Sequence, residues 1–308
     1  MNIKKKITIL IPSLAGGGAE RMAINLANEF SKKKQEVTIF TLTCLNDYGD
    51  IVDKKVKIIK TPFKRIRYSP IFLLLYLIKE RSHYILSFTR DSSVILGILN
   101  TFLFSKHKLF FREETLSIVR KIVDLNYKKK FLGRLFISLI YSTSKCIISQ
   151  CDDIDKDIKE LLLFSSSDFK VIQNPVIPDK FYKSSIKKSN EKWFRDEKIQ
   201  VIIFIGRLNI IKDITTLIRA FYKLNNLFPH TRLIICGKGE EEKNLRKLVN
   251  DLNLDKFVLF KGFVNNSSEL IKASNIYCMT SIAEGYGNSL IEAMAVGIKI
   301  VCSNMKEG

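Results

Sequence analysis

The segment "KITILIPSLAGGGAERMAINLANEFSKKKQEVTIFT", residues 6–41, constrains the fold more than any other stretch of the chain. An apolar run of strand length ends in a glycine loop. Apolar residues at helical spacing follow (Met22, Ile24, Leu26, Ala27, Phe30), and the pattern closes on lysines that suit the negative end of a helix dipole. A second apolar run occupies 36–43. Strand, helix, strand in that order is a βαβ unit, whose strands lie parallel with a right-handed crossover. The expected elements are a strand at 7–12, a helix at 19–33 and strands at 36–43, 57–60, 83–88, 108–111, 145–149 and 170–173.

The same α/β rhythm returns later. Strands are expected at 199–205, 232–236, 257–260, 275–280 and 299–302. Helices are expected at 213–227, after residues 237–239, at 268–273 and at 289–296, the last stopped by Gly297 as a C-cap. A chain of 308 residues has room for two such domains. The prolines of "IQNPVIPDKFY" and the polar run "KSSIKKSNEKWFRDEK" read as a linker, so the domains are expected at 1–183 and 184–308. Ligands of such folds bind in a cleft between domains.

Charge narrows the partners. The formal net charge is +20, and the first 183 residues hold 32 Lys/Arg against 18 Asp/Glu. That balance suits an anionic partner. Nucleic acid is not expected, because no binding motif accompanies the charge. Residues 63–81 and 120–142 mix basic and apolar side chains. In the second segment Lys128, Lys129, Lys130 and Arg134 adjoin Phe131, Leu132, Leu135, Phe136 and Leu139. That mixture fits a helix on an anionic membrane surface, and equally one covering the sheet. The apolar run near "SPIFLLLYLI" is too short to span a bilayer. The N-terminus imitates a signal peptide but reads as the first strand, interrupted by Pro12. Cys44, Cys146, Cys151, Cys236, Cys278 and Cys302 form no CxxC pair and fit buried reduced thiols in the cytoplasm.

Three motifs carry phosphate chemistry. "AGGGAE" opens the first helix, where Gly17 and Gly18 let backbone amides approach a phosphate. Position 21 is Arg, and the second strand ends without an acid for a ribose, so a dinucleotide fingerprint is not met; no GK[ST] follows, which excludes a P-loop. "GRLNIIKD" places Arg207 and Lys212 where two cations can bracket a diphosphate. "EGYGNSLIEAM" places Glu284 just past a strand and Glu292 in the first turn of a helix. Ser289 and Glu292 have capping-box spacing, which leaves Glu284 and its glycines unexplained. Two spaced carboxylates can each hold a polyol, a sugar and a ribose. Together the motifs point to a nucleotide sugar.

"EGYGNSLIEAM" resembles the E-x7-E motif of retaining GT-B glycosyltransferases, family 4. "SLAGGGAERMAINLA", "IQNPV", "IGRLNIIKDITTLIRAF" and "LIICGKGEEEKNL" resemble the other signatures of that family, in order. The resemblance implies two Rossmann-like domains, the first on the acceptor side. It implies Glu284 on the transferred sugar, Arg207 and Lys212 on the diphosphate, and Gly17 and Gly18 near the phosphates and sugar. Glu292 would hold the ribose, and Gly285, Tyr286, Gly287, Asn288 and Ser289 would bring amides to the donor, with Leu290 packed nearby. The loops at Gly237 and at Gly262, Phe263 and Val264 would flank the base. No metal or cofactor is expected; Asp153, Asp155 and Asp157 mimic a DxD metal motif but open a helix. The partners implied are a nucleotide sugar, UDP-linked, and a saccharide or lipid-linked saccharide acceptor, used in surface polysaccharide assembly at the inner face of the cell membrane.

Two departures stand out. Many relatives carry a His after the strand at 108–111; here Arg112 and Glu113 are the candidates for the reacting centre. Relatives also continue beyond the equivalent of "CSNMKEG". The resemblance therefore implies an incomplete C-terminal domain with an uncovered sheet edge, and an alternative reading as a non-catalytic remnant that binds nucleotide or membrane.

Overall fold

The computed structural model describes residues 5–46, 48–80, 83–103, 107–114, 131–177, 192–264 and 267–305. The chain divides into two compact units, Met1–Asn174 and Pro175–Gly308. The expected boundary at 183/184 falls within 178–191, outside the described residues, as do Lys128, Lys129 and Lys130.

Unit 1 contains β1 (Lys6–Ile11), α1 (Gly18–Lys32), β2 (Glu36–Thr41), β3 (Lys57–Lys60), α2 (Pro70–Lys79) and β4 (Tyr84–Phe88). It continues with α3 (Arg90–Phe102), β5 (Lys108–Glu113), α4 (Phe131–Tyr141), β6 (Cys146–Ser149), α5 (Asp152–Leu161) and β7 (Asp168–Val171). The strands form one parallel sheet in the order β3-β2-β1-β4-β5-β6-β7. The chain winds outward both ways from the β1/β4 junction. With right-handed crossovers, α1 and α3 must then cover opposite faces.

Side-chain alternation agrees. Leu10, Phe40, Ile85, Leu109, Phe111 and Ile147 form one core with Leu73 and Leu77 of α2, Leu96 of α3, Ile140 and Tyr141 of α4 and Ile158 of α5. Ile9, Ile11, Ile39 and Phe88 are buried one position out of phase, so they face the other way. Helix α3 has no counterpart among the expected helices. Two first-turn acids of α5 pair with their own helix, Asp155 with Lys159 at 2.6 Å (i,i+4) and Asp153 with Lys156 at 3.8 Å (i,i+3), as the helix dipole also favours.

Unit 2 contains β8 (Gln200–Ile205), α6 (Ile214–Leu227), β9 (Thr231–Cys236), α7 (Glu242–Asp251) and β10 (Val258–Gly262). It continues with α8 (Ser267–Ala273), β11 (Ile276–Met279), α9 (Asn288–Val296) and β12 (Lys299–Cys302). The sheet is parallel, in the order β10-β9-β8-β11-β12. Its strands are apolar at nearly every position because both faces are covered. Ile202, Phe204, Leu233, Ile235 and Cys278 pack with Leu217, Phe221, Leu245 and Val249 of α6 and α7. Val201, Ile203, Ile234, Cys236, Tyr277 and Met279 pack with Leu270, Ile271 and Ala293 of α8 and α9. Each such buried Leu or Phe contributes about 2 kcal/mol.

Gly297 caps α9 at φ 77, as expected, with its N–H on the Met294 carbonyl. No disulfide joins the six cysteines, all of which are described. Cys146, Cys236 and Cys278 are buried, and burial pushes the Cys278 thiol up to about 11. Cys302 is exposed, against expectation, because β12 is the last strand described in its sheet. Among the described residues no helix is long and apolar enough to cross a membrane.

Candidate active site

In unit 2 the sequence-derived residues gather at the carboxyl ends of adjacent strands, where open parallel sheets bind ligands. The turn after β8 is built by two side-chain caps. Asn209 Oδ1 accepts from the Lys212 N–H at 3.2 Å, and Asp213 Oδ1 accepts from the Thr216 N–H at 3.3 Å with Asp213 at φ 41. The loop after β11 is stitched to this turn. Thr280 Oγ1 bonds the Lys212 and Asp213 carbonyls at 3.1 and 3.0 Å, and the Ile282 N–H reaches the Ile211 carbonyl at 2.8 Å.

That stitching brings Lys212 against Glu284, which lies 72 residues further along the chain: the ammonium donates to Glu284 Oε1. Ser281 Oγ donates to the same oxygen at 2.6 Å, and Ser303 Oγ bonds the Ser281 carbonyl at 2.6 Å. The pair is largely out of water, with side chains 20% and 9% exposed. The cation expected on the diphosphate and the acid expected on the sugar are thus one ion pair. An ammonium has three donors, and Glu284 engages one of them. Arg207, at the end of β8, is exposed.

Glu292 faces elsewhere. It is 5% exposed, and Ser267 Oγ of α8 donates to its Oε2 at 2.6 Å. The capping-box spacing is not used: the N-cap of α9 is Gly287, with no side-chain cap bond. Ser289 sits inside the helix, where its Oγ accepts from the Tyr277 hydroxyl at 2.8 Å. Burial drives the Tyr277 phenol upward, so it stays a donor. Gly285, Tyr286 and Asn288 are half-buried beside these groups, and Leu290 and Val264 pack on the core. Phe263 is half-buried in the loop after β10.

Gly237 has a backbone reason to be glycine. A Cβ there would lie 1.8 Å from the Gly206 carbonyl oxygen, at φ +140. The Gly237 N–H bonds the Gly262 carbonyl at 2.7 Å, the Gly206 N–H bonds Cys236 at 3.0 Å, and the Leu208 N–H bonds Lys238 at 3.0 Å. The ends of β8, β9 and β10 are laced together by these bonds, and among them Gly237 is the position where a Cβ would meet backbone.

In unit 1 Gly17 is the N-cap of α1, and Gly18 begins the helix, at the carboxyl end of β1. The two reacting-centre candidates separate, because β5 runs two residues past its expected end. Phe111 and Glu113 share one face of the strand and Arg112 takes the other, with Glu114 the first residue past the strand's end. Glu113 is sealed at 1% exposure, held by Arg90 through Nε at 3.1 Å and Nη2 at 2.8 Å and by the Tyr141 hydroxyl. It binds the sheet to α3 and α4. Arg112 pairs instead with Glu114 at 3.3 Å. Glu114 was not singled out from sequence; the strand's two-residue periodicity, carried past Phe111, is the signal that separates it from Glu113.

Two open parallel sheets, each with glycine turns and charged side chains collected at its carboxyl rim, define a two-unit α/β protein of the Rossmann-like class. Residues 185–308 match the glycosyl transferases group 1 family. An uncharacterized glycosyltransferase of Methanocaldococcus jannaschii is 30% identical over 59% of this chain and 46% of its own length. The N-acetylgalactosamine-N,N'-diacetylbacillosaminyl-diphospho-undecaprenol 4-alpha-N-acetylgalactosaminyltransferase of Campylobacter jejuni is 25% identical, over 99% of this chain and 82% of that protein. Among solved structures, WaaG, a glycosyltransferase involved in lipopolysaccharide biosynthesis, superposes with a TM-score of 0.76 at 17% identity, covering 97% of this chain and 81% of that one. HepE of Anabaena, in complex with UDP and glucose, gives 0.73 at 18% identity over 98% and 81%. Residues 185–308 therefore carry a domain that matches the group 1 glycosyl transferases, and the fold is that of GT-B glycosyltransferase structures.

Proposed function

We propose that the protein moves a hexose or N-acetylhexosamine from a UDP-sugar to a lipid-linked or growing saccharide, with retention at the anomeric carbon, in surface polysaccharide assembly. The observation that carries the reading is the Lys212–Glu284 pair, fixed by Thr280 and Ser281 at the carboxyl rim of unit 2. The C. jejuni relative is named for a diphospho-undecaprenol acceptor, and HepE was solved with UDP and glucose, which supports both substrate classes.

In this scheme unit 2 binds the donor and unit 1 the acceptor. The anomeric C–O bond to the diphosphate breaks, and a C–O bond to the acceptor oxygen forms on the same face. The acceptor's proton passes to the departing diphosphate oxygen. Charge grows on that diphosphate, and Arg207 with the remaining donors of Lys212 meets it. Glu284 accepts a sugar hydroxyl and holds Lys212 in place, Glu292 accepts the ribose hydroxyls, and no metal enters the scheme. Lys212→Ala should lower transfer from UDP-sugars by about 100-fold or more, since a preorganised charge donor is worth that much. Wild-type turnover by Lys212→Ala, or an inverted product anomer by NMR, would refute the scheme.

The proposal extends to the inner face of the cell membrane. Ile71, Phe72, Leu75 and Ile78 of α2 are exposed beside the exposed cations Lys64, Arg65, Arg67 and Lys79, and Phe131, Leu132, Phe136 and Leu139 of α4 are exposed as well. Apolar side chains edged by cations fit an anionic lipid surface. Arg134 takes no part in that surface: its Nε and Nη2 bond the Leu161 and Glu160 carbonyls at 3.0 and 2.6 Å, closing the end of α5.

A further inference from the structure

Beyond the donor-side residues, four polar side chains close a circuit at the carboxyl ends of β5, β6 and β7. Arg112 Nε donates to Glu114 Oε1 at 3.3 Å, and its Nη2 donates to Asn174 Oδ1. Asn174 Nδ2 donates to Gln150 Oε1 at 2.6 Å, and Gln150 Nε2 returns to the Glu114 carbonyl at 2.9 Å. Glu114 is clamped by side chain and main chain together. Arg112, Asn174 and Gln150 are buried, and the Glu114 side chain is 9% exposed.

Burying a carboxylate and a guanidinium is costly unless their remaining valences are met. The clamp engages Arg112 Nε and Nη2 and one oxygen of Glu114; among the described residues Glu114 Oε2 takes no hydrogen bond. Glu114 is the first residue past β5, at the carboxyl rim where open α/β sheets receive ligands, and its side chain meets Arg112 while that of Glu113 meets Arg90. The charged groups around it are Arg112 of β5, Glu20 in the first turn of α1, and Glu113 behind the strand. We infer that Glu114 binds a pyranose hydroxyl during transfer, with Arg112 as the positioning residue that aims it; the inference rests on the glycosyl-transfer reading above. The hydroxyl belongs to the donor sugar or to the acceptor, and the chemistry of recognition is the same.

Burial, reinforced by Glu20 and Glu113 and opposed by Arg112, pushes the Glu114 carboxyl from 4.5 up to about 7. The ionised form is the stronger acceptor for a hydroxyl. Transfer efficiency therefore rises with pH through about 7 and then levels.

The test is kcat/KM against pH for the full chain, using UDP-N-acetylglucosamine and a short polyprenyl-diphospho-N-acetylhexosamine. Glu114→Gln keeps the Arg112 bond but cannot ionise. It should lose the limb near neutrality and fall about 10- to 100-fold at pH 8. UDP affinity by calorimetry, which involves no pyranose, should stay unchanged and certifies the fold. Glu20→Gln removes one raising charge and should move the limb to lower pH. A higher KM for the UDP-sugar assigns the hydroxyl to the donor; a higher KM for the lipid assigns it to the acceptor. Glu114→Gln with the wild-type rate and limb overturns the inference. Should the wild type bind UDP yet transfer to no acceptor, the transfer reading itself fails. Thermal stabilisation by UDP-N-acetylglucosamine beyond UDP, and by free N-acetylglucosamine, then decides: a smaller gain in Glu114→Gln sustains the hydroxyl contact, and equal gains overturn it.

Discussion

Replacing Gly237 by Ala separates two reasons for a glycine at the rim. Family resemblance places its loop beside the nucleotide base, whereas the structure places the new Cβ 1.8 Å from the Gly206 carbonyl oxygen. That contact cannot be relieved by a side-chain rotation, because both partners are backbone. Movement must come from the ends of β8 or β9, held by the bonds Gly206 to Cys236, Gly237 to Gly262 and Leu208 to Lys238. Losing one or two buried backbone bonds costs about 1–3 kcal/mol each, and the unfavourable φ adds about 1–3 kcal/mol. The sum spans about 2–9 kcal/mol, centred on about 5, a large part of the 5–15 kcal/mol that typically holds a domain folded. Gly262→Ala is the control: it also has positive φ, +70, but nothing lies within 4 Å of its Cβ, so it should cost only about 1–2 kcal/mol. Urea unfolding followed by circular dichroism reads both. If Gly237→Ala unfolds within about 1 kcal/mol of Gly262→Ala, the lacing does not determine the residue and the substrate-side reason stands alone.

Glu113→Ala should destabilise the protein by about 3–5 kcal/mol, because it strands Arg90 in the interior; Arg90→Met in the same chain should recover part of that loss in chemical denaturation. The apolar faces of α2 and α4 should carry the protein down with vesicles containing phosphatidylglycerol. Phosphatidylcholine vesicles should retain less of it, 0.5 M salt should release it, and Leu132→Glu should weaken the sedimentation; equal sedimentation by both vesicle types would remove the charge from the argument.

The architecture was legible because each unit's strands are short apolar runs punctuated by glycine and followed by amphipathic helices. β3 and β12 fall at their expected residues, and most other boundaries shift by one or two. In unit 2 the sequence places Arg207, Lys212 and Glu284 after strand ends and Glu292 in the helix that follows β11, and the structure has them there. Their pairing was not legible. Lys212 meets Glu284 across 72 residues through the bonds of Thr280 and Ile282, and no local pattern announces those. The spacing of Ser289 and Glu292 suggested a cap, but Gly287 takes that position and frees both side chains for Tyr277 and Ser267. In unit 1, α3 went unread, and with it Arg90. Nothing in a sequence of adjacent acids says that one will find a buried guanidinium.

The end of β5 gives two neighbouring glutamates unlike fates: one is mortar in a wall, the other is clamped at the rim by Arg112. A single neutral residue inserted between Lys108 and Arg112 would put Arg112 where Glu113 now meets Arg90 and Glu113 where Glu114 now sits, with net charge and the count of acids unchanged. Engineering or comparison that treats the two positions as interchangeable will misread this chain. What has to be preserved is parity along the strand, not acidity as such.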